Sequence, residues 1–243
     1  MSKLRNRIRD LGRRRPMPFG FAPARSEAPS ARQLLVIAEV TDATDAAQAV
    51  TAGADALVYG GGADSLESVV AAAGTLPVGA RLDAATTAGA AAARKAGADF
   101  LVFADDASAA GAIRDPELGY VVLASGLTDD GLRLLRILDL DGVMIAPPTA
   151  TMTVRQQLQT RRLSDLARKP LFARLEAGSA TPDADVLESW RDAGVAVVVA
   201  PAAAVAALTA AAAAVPAPRE PQGRREATVP AMRPSSLDDE EEV

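Results

Sequence analysis

The sequence contains no cysteine and no histidine, and aromatic residues make up only 3% of its 243 positions. Without Cys there is no disulfide framework, no thiolate nucleophile and no Cys-ligated zinc or iron–sulfur cluster. Without His there is no Ser-His-Asp triad, no imidazole acid or base and no His-ligated metal. Chemistry therefore falls to carboxylates, Arg, Lys, Tyr, Ser, Thr or a bound cofactor. Lysine is scarce too: Lys3, Lys95 and Lys169 are the whole set. No apolar run approaches the roughly 18 residues of a membrane helix. The basic start lacks the apolar stretch of a signal peptide, so a cytoplasmic location is expected.

What is present is unevenly charged. Residues 1–32 carry +7, residues 33–216 carry −9 and residues 217–243 carry −3, for a total of −5. That balance predicts a basic arm with a Pro-rich linker, an acidic body and a disordered acidic tail. The net charge of −5 argues against a dedicated nucleic-acid binder, and in the arm no aromatic is interleaved with the arginine run.

The body alternates short apolar runs with Ala-rich helical segments. Strands are predicted at 33–40, 54–60, 77–83, 99–104, 119–125, 141–146, 170–176 and 196–200. Helices are predicted at 43–52, 63–73, 85–96, 107–113, 129–138, 153–168, 183–193 and 202–214. Runs that are apolar throughout indicate a parallel sheet covered by helices, and eight strand–helix units predict a closed (β/α)8 barrel. Internal repeats support this reading. Ala52-Gly53-Ala54-Asp55, Ala96-Gly97-Ala98-Asp99 and Ala193-Gly194-Val195-Ala196 each run from a helix end into a strand. The Gly supplies a left-handed helix stop. On these residues the chain resembles the aldolase-type TIM-barrel superfamily over about 33–216.

In such barrels the active site lies at the C-terminal ends of the strands. Aligning the odd strands by their repeats places Glu39, Asp83, Ser125 and Glu176 at one level, with Ile37, Arg81, Leu123 and Arg174 a layer below. The first reading of this constellation is a hard-cation site, with Glu39, Asp83 and Glu176 holding Mg²⁺ or Mn²⁺. Arg81, Arg174 and Ser125 would serve a small carboxylate- or phosphate-bearing substrate. A metal there stabilises an enolate, as carbon–carbon cleavage of an oxo-acid requires. This resembles the metal-dependent branch of the superfamily, the HpcH/HpaI-type aldolases and the phosphoenolpyruvate mutase group. The second reading is a salt-bridge network that fills the barrel.

The resemblance also implies a phosphate held by loops after strands seven and eight. Here Gly178 and Ser179 match in part, and the loop after strand eight lacks the Gly. Gly60, Gly61 and Gly62 after strand two are a further candidate anion nest, or simply a turn. Lys95 lies near a helix end and Lys169 precedes a strand on the opposite face, so a Schiff-base aldolase is not expected.

Leu4, Ile8 and Leu11 form a helical stripe ringed by Arg. A basic amphipathic helix suits an anionic membrane surface or an acidic protein partner, reached through residues 1–15. Equally, an N-terminal helix of this kind closes the bottom of a barrel. Two functions follow: a metal-assisted lyase-type enzyme, or a non-catalytic barrel acting as a binding or scaffold module tethered by its arm.

Overall fold

The structure is a computed structural model that describes residues 2–12, 32–124, 126–149 and 151–218. The predicted linker over 16–31, with its Phe19-Gly20-Phe21, lies outside the described residues, as do Ser125 and 219–243 of the predicted tail.

Eight parallel strands close into a barrel in chain order. They are β1 (Leu35–Val40), β2 (Ala56–Tyr59), β3 (Val78–Leu82), β4 (Phe100–Ala104), β5 (Gly119–Leu123), β6 (Gly142–Ile145), β7 (Leu171–Arg174) and β8 (Val195–Pro201). A helix α1 (Lys3–Gly12) precedes them, and α2 (Ala43–Thr51), α3 (Ala63–Ala73), α4 (Thr87–Lys95), α5 (Asp129–Leu134), α6 (Val154–Ala167), α7 (Ala184–Asp192) and α8 (Val205–Ala214) surround them. The helices start where a side chain accepts the free N–H groups of the first turn. Asp42, Thr86, Thr128 and Asp183 cap α2, α4, α5 and α7, and Thr153 forms a capping box with Gln156 on α6. Gly53, Gly97 and Gly194 take positive φ of 83°, 95° and 103°, which is the conformation their repeat requires.

The crossover between β4 and β5 departs from expectation. Only a 3₁₀ turn, Ala110–Ile113, stands where a helix was predicted over 107–113. Gly111 lies against the Thr87 hydroxyl of α4, and Pro116 follows within a turn, so little chain remains to propagate an α-helix.

Two buried clusters share the sheet, as alternating side chains demand. The outer one joins strands to helices and contains Val36, Leu57, Leu101, Trp190 and Leu208. The inner one contains Ile37, Val58, Phe100, Val121, Phe172 and Val199. Large residues there face residues with no side chain. A Cβ on Gly79 would overlap the Phe100 ring, and one on Gly142 would overlap Phe172.

The inner cluster also contains Leu4, with Ile8 and Leu11 packed against it, so α1 closes the floor of the barrel. The stripe that a membrane-bound arm would present to lipid is thus occupied by barrel core. Three aspartates at the starts of β2, β4 and β6 receive the helix. The backbone N–H groups of Asp55, Asp99 and Asp141 donate to the carbonyls of Val36, Val78 and Tyr120, respectively, each at 2.7 Å. Asp99 accepts from Ser2 Oγ at 2.8 Å and from the backbone N–H of Lys3 at 2.8 Å and of Leu4 at 2.9 Å. Asp141 is paired with Arg5, which also reaches Asp139 at 3.1 Å. Asp55 lies 3.3 Å from Arg32 and 3.8 Å from Arg7. A helix with no acid in its own first turn thus gains one from β4. Burial pushes the Asp141 carboxyl above the usual range, against the opposing pull of Arg5.

Candidate functional site

The C-terminal mouth of the barrel is set by the ends of β1, β3, β5 and β7. In the hydrogen-bonded register Glu39 pairs with Pro201, and Ile37 and Arg174 both pair with Val199. Each odd strand is staggered by two residues from the last around a closed eight-strand barrel. Glu39, Arg81, Leu123 and Arg174 therefore share one layer, with Ile37, Gly79, Val121 and Phe172 beneath it. The alignment by sequence repeats had set Glu39 a layer above Arg81 and Arg174. The difference is the shear of the barrel, which repeat matching along the chain does not contain.

Within that layer Arg174 holds Glu39 through two bonds from one edge of its guanidinium, Nε to Oε1 at 2.5 Å and Nη2 to Oε2 at 3.1 Å. Such a forked pair is both strong and directional. It holds the Arg174 guanidinium in its charged state, with the Glu39 hydrogen bond the main cause and the charges of Glu176 and Asp83 adding to it. Nη1 is not used by Glu39. Arg81 turns instead to its strand neighbour, with Nε 3.0 Å from Asp83 Oδ1. The Asp83 side chain is 79% exposed, so this pair sits on the rim.

Beside Arg174 a cavity of about 220 Å³ opens between β5, β6 and β7, lined by Leu123, Met144, Pro147 and Glu176. Glu176 is exposed, in a turn closed by the Ser179 N–H donating to the Glu176 carbonyl at 3.1 Å. Gly178 in that turn has φ 82°. Gly178 and Ser179 thus shape the loop that carries Glu176. Gly60, Gly61 and Gly62 are exposed and stand apart from this cavity; Gly61 packs over the ring of Tyr59, where a Cβ would collide. Trp190 on α7 donates to the Thr149 carbonyl at 3.4 Å and ties the loop after β6 to the helix layer.

The three carboxylates expected to hold Mg²⁺ or Mn²⁺ do not assemble. Glu39 has both oxygens on Arg174, Asp83 leans on Arg81, and among the described residues no group of three or more acidic side chains is placed to hold a cation. The donor set does not fit a carboxylate-ligated metal, because two of its three carboxylates, Glu39 and Asp83, are already paired with arginines. Sequence reasoning missed Met144 as a cavity wall and the floor aspartates as a socket. Two of the latter had a signal, since Asp55 and Asp99 close the Ala-Gly-Ala-Asp repeats, whereas Asp141 follows Leu138-Asp139-Leu140.

No protein-family model matches the chain, and no curated protein sequence does so either. Solved structures do resemble it. A 2,3-dimethylmalate lyase, a member of the PEP mutase/isocitrate lyase superfamily, aligns with TM-score 0.58 and 17% identity over 87% of this chain and 84% of its own. KGPDC from Streptococcus mutans aligns with TM-score 0.58 and 14% identity over 75% of this chain and 97% of its own. Dihydropteroate synthase from Xanthomonas albilineans aligns with TM-score 0.55 and 16% identity over 75% and 94%. At such identities the likeness is one of fold. The molecule is a closed eight-stranded parallel (β/α)8 barrel, the fold it shares with these neighbours.

Proposed function

We propose that the barrel is a lyase-type enzyme acting on a small carboxylate compound bound at the mouth, with Arg174 as the group that holds the substrate's carboxylate. The observation that carries this reading is the forked Glu39–Arg174 pair beside the 220 Å³ cavity. A guanidinium locked on one edge offers Nη1 in a defined direction, and the apolar walls of Leu123, Met144 and Pro147 suit a short carbon chain. The volume matches an acid of a few carbons. That one structural neighbour is named a lyase of 2,3-dimethylmalate, a small dicarboxylate, supports the choice of substrate class.

Carbon–carbon cleavage of a hydroxy-acid moves the hydroxyl proton to a base and leaves a carbonyl product and an enolate. Glu176 lines the cavity and is the candidate proton acceptor, and Arg174 faces the charge that develops on the enolate. The proton then returns to the enolate carbon.

A second reading, a barrel that binds without turnover, is favoured by the neutralisation of Glu39 and Asp83 by their arginines. Thermal unfolding with millimolar malate, 2-oxoglutarate, pyruvate or Mg²⁺ distinguishes them, alongside an assay for released oxo-acid. Stabilisation by a hydroxy-acid that is lost in Arg174→Leu, together with turnover lost in Glu176→Gln, supports the enzyme. The same stabilisation without turnover supports the binding barrel. No stabilisation by any carboxylate overturns both.

A further inference from the structure

The acidic body contains one basic segment. Residues 153–169 carry five Lys or Arg against one acid, while residues 33–216 as a whole carry −9. This segment is α6, and its outer surface is also apolar. Val154 and Leu158, one turn apart, are 73% and 66% exposed. Arg155, Arg161 and Arg162 are exposed around them. Arg161 is tied to Asp165 at 3.1 Å and Arg162 to Asp129, whereas Arg155 forms no ion pair among the described residues. An apolar stripe ringed by cations suits an acidic segment that carries an apolar residue.

The chain itself delivers such a segment. Val215 is buried, the carbonyl of Pro216 is held by Arg191 of α7, and Pro218 lines the groove between α6 and α7 beside Gln157 and Arg161. Residues 219–243 follow, and within them Leu237 is succeeded by Asp238, Asp239, Glu240, Glu241, Glu242 and Val243. The 19 positions from Pro218 to Leu237 can reach at most about 65 Å when extended, and α6 is about 21 Å long. Every part of α6 is within reach. The groove itself is an unsuitable seat, because Asp185, Glu188 and Asp192 of α7 repel an acidic run. In α1, Arg5 is already paired with Asp139 and Asp141.

We infer that residues 237–243 dock on the outer face of α6 in the same chain, Leu237 against Val154 and Leu158 and the acidic run against Arg155, Arg161 and Arg162. Tethering keeps the local concentration of the segment high, on the order of 1 mM, so a weak contact suffices. The contact is electrostatic at its rim and weakens with salt.

The absence of cysteine makes the test direct. Val243→Cys in the full chain supplies a single attachment point for a nitroxide, and paramagnetic broadening of backbone amide signals reports which surface it visits. The expected result is loss of signal for the exposed residues of α6 and none for α3. Signal returns in high salt, and also in a labelled chain carrying Asp238→Asn, Asp239→Asn, Glu240→Gln, Glu241→Gln and Glu242→Gln, which leaves the barrel untouched. Full signal on α6 in the labelled parent overturns the inference. So does broadening that appears only when spin-labelled chain is mixed with unlabelled, isotope-enriched chain, which would place the segment on a second copy.

Discussion

Asp99 holds the first turn of α1 from across the barrel floor, its Oδ2 accepting the backbone N–H of Leu4 at 2.9 Å over a separation of 95 positions. The same carboxylate accepts from Lys3 and Ser2. Removing it strands three donors at a partly buried helix start, which costs about 2 kcal/mol. Asp99→Ala is therefore expected to lower the urea midpoint clearly, and Asp99→Asn, which keeps an acceptor, to lower it less. Equal midpoints for Asp99→Ala and the parent would show that α1 does not depend on this cap.

Leu4 is fully buried in the inner cluster. Leu4→Ala is expected to destabilise by about 2–5 kcal/mol, as for other buried leucines. Measured beside Leu11→Ala, which loses a partly exposed contact, it should be the larger loss in chemical unfolding. The opposite order would mean that the floor is closed by the C-terminal half of α1.

Asp141 adds a pH dependence. Its carboxyl is raised above 3.8 by burial, so in the acid range above that value the native state binds more protons than the unfolded one. The contribution of Asp141 to stability is then fully present below 3.8 and declines as pH rises through the folded-state value. The stability difference between the parent and Asp141→Asn should accordingly shift against the parent over that range, in calorimetric scans at a series of pH values. A shift toward the parent would mean that Arg5 outweighs burial.

Gly142 sits under the ring of Phe172 with no room for a methyl group. Gly142→Ala is expected to cost about 1–3 kcal/mol by overpacking. Combining it with Phe172→Leu should recover part of that loss, and a double variant no more stable than Gly142→Ala alone would argue against the ring as the obstacle.

The Glu39–Arg174 pair is expected to show a coupling of about 1–2 kcal/mol in a double-mutant cycle of Glu39→Gln and Arg174→Leu. Its two side chains are only partly exposed, so screening is incomplete. Additive losses would reduce the pair to a surface contact.

Barrel topology was legible because it is local and repeated. The Gly after α2, α4 and α7 and the apolar runs state their conformation within a few positions. The mouth residues were legible as a group of charges, since Glu39, Arg81, Asp83, Arg174 and Glu176 all fall at strand ends. Their partners were not. Arg174 reaches Glu39 because the stagger between strands decides which side chains share a layer, whereas Arg81 turns to Asp83 two positions along its own chain.

The floor shows the same division. The sequence alone determined that Leu4, Ile8 and Leu11 fall on one helical stripe within residues 1–15 and that an Asp closes the repeats before β2 and β4. Only the tertiary structure decided that the stripe enters the barrel and that Asp55, Asp99 and Asp141 receive it. Periodicity along a chain reports which face of an element is apolar. It does not report what covers that face, because burial is a property of two surfaces brought together by a closed sheet.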